Sequence, residues 1–217
     1  MAEHWLLLRS PTADPACNMA IDEALLRTAG ARSRPVLRIY SWSEPAVTFG
    51  YFQKFPAHLA SQYTVIRRPT GGGIVYHTAD TTYTVVVPPG HALHTATAQD
   101  AYNLLHRAVA GALKSSISNL KSIPRGSYEC FQNPVAGDVV TAAGAKLAGG
   151  AQRRGKSGML HQGSIAATVT VEQLTGGFRS VLDAEFADYT LMPEEIALAE
   201  QLTREKYATE AWNRRIT

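Results

Sequence analysis

At 217 residues, with 45% hydrophobic and 18% charged side chains, the chain has the composition of one filled mixed α/β unit and not of a disordered segment. Its apolar runs all fall short of membrane-spanning length, and its two cysteines, Cys17 and Cys130, make neither a disulfide framework nor a metal cluster and suit a reducing cytoplasm. A net charge of +3, with no basic patch interleaved with aromatics, argues against nucleic acid as a partner.

In chain order, Asp14-Pro15 opens a first helix that carries Cys17, Asn18, Met19, Asp22 and Leu25 and ends before Gly30. Segments 36–42 and 46–51 read as a strand pair around Glu44-Pro45, and 63–68 as a third strand. That strand runs into Arg67-Arg68-Pro69-Thr70-Gly71-Gly72-Gly73, followed by His77 and a strand at 82–87 that Pro88-Pro89 stops. Thr97 to Asp100 forms a capping box for a helix whose Ala101, Leu104, Leu105, Ala108, Ala112 and Leu113 share one face. The polar stretch 115–127 reads as a surface loop leading to Cys130. Segments 139–142 and 146–152 read as a hairpin and 158–169 as a further strand. Pro193 starts a last helix with Ile196, Ala199, Leu202, Tyr207 and Trp212 on it. Strands joined by short turns, with no repeat and no linker, predict a single α+β domain over residues 1–217, a mostly antiparallel sheet flanked by helices.

The triple glycine is not a nucleotide P-loop: Gly-Lys-Ser/Thr is missing, and β-patterned residues follow it instead of a helix start. It suits a loop over which an extended ligand passes, with Arg68, Thr70, Gly71, Gly72, Gly73 and His77 as candidate binding residues; taken alone, the run also reads as a hairpin loop and His77 as a structural histidine. Lys146 lies among Ala145, Ala148, Gly149, Gly150 and Ala151, small residues that leave its ammonium open to a ligand's carbonyl or phosphate oxygen. Cys130 reads either as a small buried hydrophobe or, with a cation such as Lys146 beside it, as a thiolate nucleophile. His91 and His94 lack a third ligand, so no metal is expected, and Arg153, Arg154 and Lys156 rim whatever site Lys146 serves.

Two long segments, Arg67 to His77 and Lys146-Leu147-Ala148-Gly149-Gly150-Ala151-Gln152, resemble the Arg-Arg-x-Ser/Thr-Gly-Gly-Gly…His and Lys-Ile/Leu-x-Gly-x-Ala-Gln motifs of the lipoate–protein ligase and octanoyltransferase family. The similarity runs from Asn18 to Trp212 and implies the α+β core shared with biotin ligases, with Gly149 and Ala151 added to the binding set. Cys130-Phe131-Gln132-Asn133-Pro134 is similar to the Cys-Phe-x-x-Pro of the transferases, where ligases carry Asn or Asp, and Asp80 to Thr84 resembles their Glu-Leu-Thr-Tyr-Ser. The few residues after Trp212 leave no room for the accessory domain of many ligases.

The resemblance therefore implies a cytoplasmic acyltransferase of lipoate biosynthesis. It would pass octanoyl, or lipoyl, from acyl carrier protein through a Cys130 thioester to a lysine of a lipoyl domain or the glycine-cleavage H protein. Cys130 and Lys146 would be catalytic, with no cofactor, no metal and no membrane. The alternative within the family is an ATP- and Mg-dependent lipoate ligase working through an adenylate; outside it stand a non-catalytic lipoyl-domain binder and an enzyme that moves octanoyl between lipoyl domains. Two departures stand out. The family places His directly before Gly in its last strand motif, whereas this chain reads His161-Gln162-Gly163. Strand alternation turns His161 to the opposite face and out of the catalytic set. Thr78-Ala79 also replaces the Asp that usually follows the motif histidine.

Overall fold

The computed structural model describes residues 2–114, 120–122 and 137–215; Cys130, the expected nucleophile, lies outside them. The elements in chain order are β1 (Glu3–Arg9), α1 (Pro15–Arg27), β2 (Val36–Tyr40), β3 (Ala46–Phe49), β4 (Thr64–Arg67), β5 (Val75–His77), β6 (Thr81–Val87), α2 (Ala92–Thr95) and α3 (Ala98–Lys114). They continue with β7 (Leu120–Ser122), β8 (Val139–Thr141), β9 (Lys146–Gly155), β10 (Gly158–Ile165), α4 (Val171–Leu182), β11 (Ala184–Asp188), α5 (Pro193–Leu202) and α6 (Glu210–Asn213). Eight strands form one sheet in the order β11-β1-β2-β6-β10-β9-β8-β7, and β4-β3-β5 form a second. Among the described strands β1 with β11, β1 with β2 and β3 with β4 run parallel and the other pairs antiparallel, so the expected α+β fold with mostly antiparallel pairing is found.

The main sheet is covered on both sides. Trp5 and Leu7 of β1 enter a core with α3 and α4, while Leu6 and Leu8 enter one with α1 and α5. Two covered faces are why β1 reads as an unbroken apolar run. Helix α1 starts with the Asp14 carboxylate accepting from the Cys17 N–H at 2.9 Å and with Pro15 in its first turn. It buries three polar side chains, Asn18, Asp22 and Glu23. Asp22 pairs with the Arg38 guanidinium at 2.7 Å, both fully buried, and its other oxygen accepts from Tyr40 (3.2 Å), Thr84 (2.8 Å) and Gln162 (2.8 Å). Asn18 accepts from Arg38 through its side-chain oxygen and donates to the carbonyls of Ala13 and Ser41.

Several expectations are corrected. β2 and β3 do not pair: β1 and β6 already occupy both edges of β2, so the chain after Pro45 starts the second sheet. Residues 120–122, read as loop, pair with β8 as an edge strand, and the strand expected over 158–169 stops at Ile165. The last helix ends at Leu202, and a π-helical turn over Thr203–Tyr207 and α6 follow, so Tyr207 and Trp212 lie beyond it. α6 is held by Arg67, whose buried guanidinium donates to the carbonyls of Tyr51, Gln53, Trp212, Asn213 and Arg215.

Two histidines lie in the core under α3. Burial pushes His106 down to about 4, against the opposing pull of its bond to the Gly137 carbonyl, and burial, then the neighbouring His106, holds His161 well below the ordinary range. Both are neutral in the fold and take up protons once unfolded. Their contribution to stability is therefore intact above about pH 6.5 and is lost as pH falls toward 4. Replacing Asp22 by Ala leaves Arg38 as an uncompensated buried charge; the expected loss is about 3–5 kcal/mol, read from the urea midpoint at pH 7, and a shift within error would show the pair to be dispensable. Between pH 6.5 and 4, His106 alone contributes on the order of 3 kcal/mol of lost stability. Urea titrations across that window should give a shallower decline for His106→Asn; an unchanged slope contradicts the assignment.

Candidate functional site

The segment 70–73 leads from β4 toward β5 and packs on Gly50 at the end of β3, where any Cβ would collide with the Gly72 carbonyl. Gly72 itself has φ +87°, a conformation that excludes most side chains. Arg68 turns back through this loop: its guanidinium donates to Gly71 O (2.9 Å), Gly73 O (2.8 Å) and Thr48 Oγ1 (2.7 Å). Thr70 points inward and donates to Gln162 Oε1 at 2.7 Å. Gln162 in turn donates to Asp22, so a continuous polar chain joins the loop to the core.

Between this loop and the main sheet lies a narrow, partly open cleft. Met19, Tyr40, Trp42 and Val75 supply its apolar lining, and Thr48, Arg68 and His77 a polar wall. Its bare backbone comes from Gly149, Gly150 and Gly163 on β9 and β10, and not from the triple glycine as expected; among the described residues Gly71, Gly72, Gly73 and Thr70 shape the loop without lining the cleft. Gly149 and Ala151 do line it.

The imidazole of His77 stacks on Trp42 with ring centroids 4.1 Å apart. Its Nδ1 lies 2.8 Å from Asp80 Oδ2 and its Nε2 2.8 Å from Thr48 Oγ1. Burial, against the pull of Asp80, lowers the pKa of the ring and keeps it neutral; Asp80 only accepts, so Nδ1–H donates to it, and Nε2 takes the Thr48 hydroxyl hydrogen. Asp80 also accepts from Thr82 (2.9 Å) and Ser164 (2.6 Å). Burial alone would raise its carboxyl, but these bonds, His77 first, hold it below the ordinary range. Asp80 thus supplies the carboxylate that Thr78-Ala79 lacks.

Lys146, at the start of β9, folds its side chain over Gly149, where a Cβ would strike Cε and Nζ. Its ammonium, 2% exposed, lies 2.7 Å from Asp138 Oδ2. Gly149 lines the cleft, so the Lys146 ammonium stands directly behind its wall. His161 faces away, into the α3 side of the core, with its Nε2 3.2 Å from Tyr83 Oη. The basic rim is corrected at Arg154. Alternation turns it from Arg153, and it donates to the carbonyls of Leu93 (2.9 Å), His94 (2.7 Å) and Ala96 (2.9 Å), bracing the turn between α2 and α3. Arg153 and Lys156 are exposed. His91 caps α2 and pairs with Glu3; among the described residues no three His, Cys, Asp or Glu side chains converge as a metal site.

Residues 14–192 match the family described as the lipoyl protein ligase A/B catalytic domain. Octanoyltransferase LipM of Brevibacillus brevis is 30% identical, over 98% of this chain and 99% of that protein, and LipM of Moorella thermoacetica is 35% identical over 80% and 68%. Among solved structures, the putative lipoate protein ligase Ta0514 of T. acidophilum with bound lipoic acid superposes with a TM-score of 0.81 at 23% identity, over 99% of both chains. A lipoate-protein ligase A bound with ATP does so equally, over the whole of both chains. At that identity the two structures speak for the fold alone. The matched family spans most of the chain and the LipM relatives align along it. The chain belongs to the lipoyl protein ligase A/B catalytic-domain family.

Proposed function

We propose that the protein transfers an octanoyl group from acyl carrier protein to a lysine of a lipoyl domain, without ATP. The observation that carries this reading is the Lys146 ammonium buried behind Gly149 at the wall of a largely apolar cleft, in a chain aligned end to end with LipM octanoyltransferases. A lipoyl-domain acceptor is consistent with a structural neighbour described together with its E2 lipoyl domain.

The octanoyl chain lies against Met19, Tyr40, Trp42 and Val75, with its carbonyl toward Gly149. Burying six methylenes supplies on the order of 5 kcal/mol. Cys130 attacks the thioester carbonyl, its new S–C bond forming as the carrier's breaks, and the carrier sulfur takes up a proton. The Lys146 ammonium favours the Cys130 thiolate. The acceptor amine, having shed its ammonium proton, attacks the enzyme thioester. The N–C bond forms, the Cys130 S–C bond breaks to return the thiolate, and the second nitrogen proton passes to the neutral Lys146 amine left when its ammonium gave a proton to the carrier sulfur, which restores the ammonium beside Asp138. His77 and Arg68 hold the opposite wall and stay neutral and fixed in charge, respectively, through the cycle.

Incubation with octanoyl acyl carrier protein and no ATP, followed by intact mass measurement, is expected to show an octanoyl adduct on the wild type and none on Cys130→Ser. Lys146→Met should slow transfer by about 10²-fold or more. Modification that appears only with ATP and free lipoate would establish the adenylate-forming alternative instead. Arg153 stands on the same strand face as the cleft-lining Ala151, two residues on, and is placed to steer acidic carrier surfaces. Arg153→Glu should lower the association rate with acyl carrier protein several-fold and flatten its salt dependence; an unchanged rate and slope would remove that role.

A further inference from the structure

Helix α3 reaches the site through two side chains that do not line the cleft. Among the described residues, β8 pairs with β9 only as far as Ala148, and the Gly150 N–H on that edge has no strand partner there. It donates instead to the Tyr102 hydroxyl at 3.1 Å. The same hydroxyl donates to Asp138 Oδ1 at 2.5 Å, while the other oxygen of that carboxylate receives Lys146 Nζ. One helical turn on, His106 Nδ1 lies 2.8 Å from the Gly137 carbonyl, which only accepts, so the ring carries its hydrogen on Nδ1. The Tyr102 and His106 rings pack 4.0 Å apart, and the Tyr102 ring also abuts Gly137, whose φ is +96°.

We propose that Tyr102 and His106 are positioning residues that hold the Gly137–Asp138 entry to β8, so that the Asp138 carboxylate fixes where the Lys146 ammonium stands. The inference rests on the acyl-transfer reading of Lys146. Each bond has a settled direction. Burial, and then the Asp138 charge, push the Tyr102 hydroxyl far above its ordinary range, so it is always a donor to the carboxylate. His106, pushed down to about 4 by burial, stays neutral and keeps its proton on the carbonyl. To the Lys146–Asp138 contact the Tyr102 hydroxyl adds an anchor from a different element, and the Gly150 N–H orients that hydroxyl.

Tyr102→Phe removes one oxygen and keeps the ring. Its kcat for octanoyl transfer is expected to fall about tenfold or more, the equivalent of one buried hydrogen bond to a charged group, with KM for both protein substrates within twofold. Amide exchange at Gly150 should accelerate while that of Gly163 on β10 holds. His106→Asn keeps a donor near the Nδ1 position and should retain most of kcat, whereas His106→Leu should lose it as Tyr102→Phe does. Wild-type kcat in Tyr102→Phe overturns the proposal, as does a loss that comes entirely through KM or leaves Gly150 exchange unchanged. Absence of transfer by the wild-type protein counts against the acyl-transfer reading instead, and Gly150 exchange then still decides whether Tyr102 holds this corner.

Discussion

The buried carboxylate of Asp22 is the constraint on which the rest of the structure depends. It sits on α1 yet takes donors from β2, β6 and β10, through Arg38, Tyr40, Thr84 and Gln162. Apolar contacts between a helix and a sheet allow sliding by a residue or a turn at modest cost, because one leucine packs much like another. A carboxylate with four directed partners does not, since any shift strands a buried charge. The register of three strands against α1 is therefore specified at one point. Through Gln162 and Thr70 the same point reaches the glycine loop, which has no side chains of its own to anchor it.

The two faces of β10 divide the labour of the molecule. His161 turns into the core under α3, and Gln162 and Ser164 turn to the cleft, where they bond to Asp22 and Asp80. Three buried carboxylates, Asp22, Asp80 and Asp138, surround the cleft, and each is met by directed donors: a guanidinium, a neutral imidazole with hydroxyls, and an ammonium with a phenol. Such pairing lets charge lie close to a cleft whose lining stays largely apolar, which a fatty acyl chain requires.

Much of this was legible from residue order. The start of α1, the Thr97–Asp100 cap of α3 and the β8–β9 hairpin follow from capping chemistry and alternation. Other elements were not. β1 shows no alternation because both its faces are covered, and α4 contains Gly176-Gly177, which reads as a helix breaker. The structure gives the reason for Gly177: a Cβ there would collide with the Ala108 carbonyl of α3, so the pair of helices can close only over glycine. At the site, Lys146, Arg68 and His77 were visible as motif residues, and Asp80 as part of the Asp80–Thr84 segment though not as the partner of His77, while Asp138 and Thr48 were not. Asp80 left a signal, an acidic side chain three residues after a histidine across a tight turn. Tyr102 left none, because its contact depends on how α3 lies across the sheet edge.

The exchange of His for Gln at position 162 is best understood through the bonds this side chain makes. It must accept from Thr70 and donate to Asp22 at once. A neutral imidazole also has one donor and one acceptor, but a proton taken up beside Asp22 would turn its acceptor into a donor and break the bond to Thr70. An amide does not titrate. With Gln162 the side chain that joins Asp22 to the glycine loop carries no titratable group, whereas His77 and the histidines on the other side of the sheet do. The side chain that reads as a departure from the family pattern is thus one whose bonds to Thr70 and Asp22 do not depend on its own protonation.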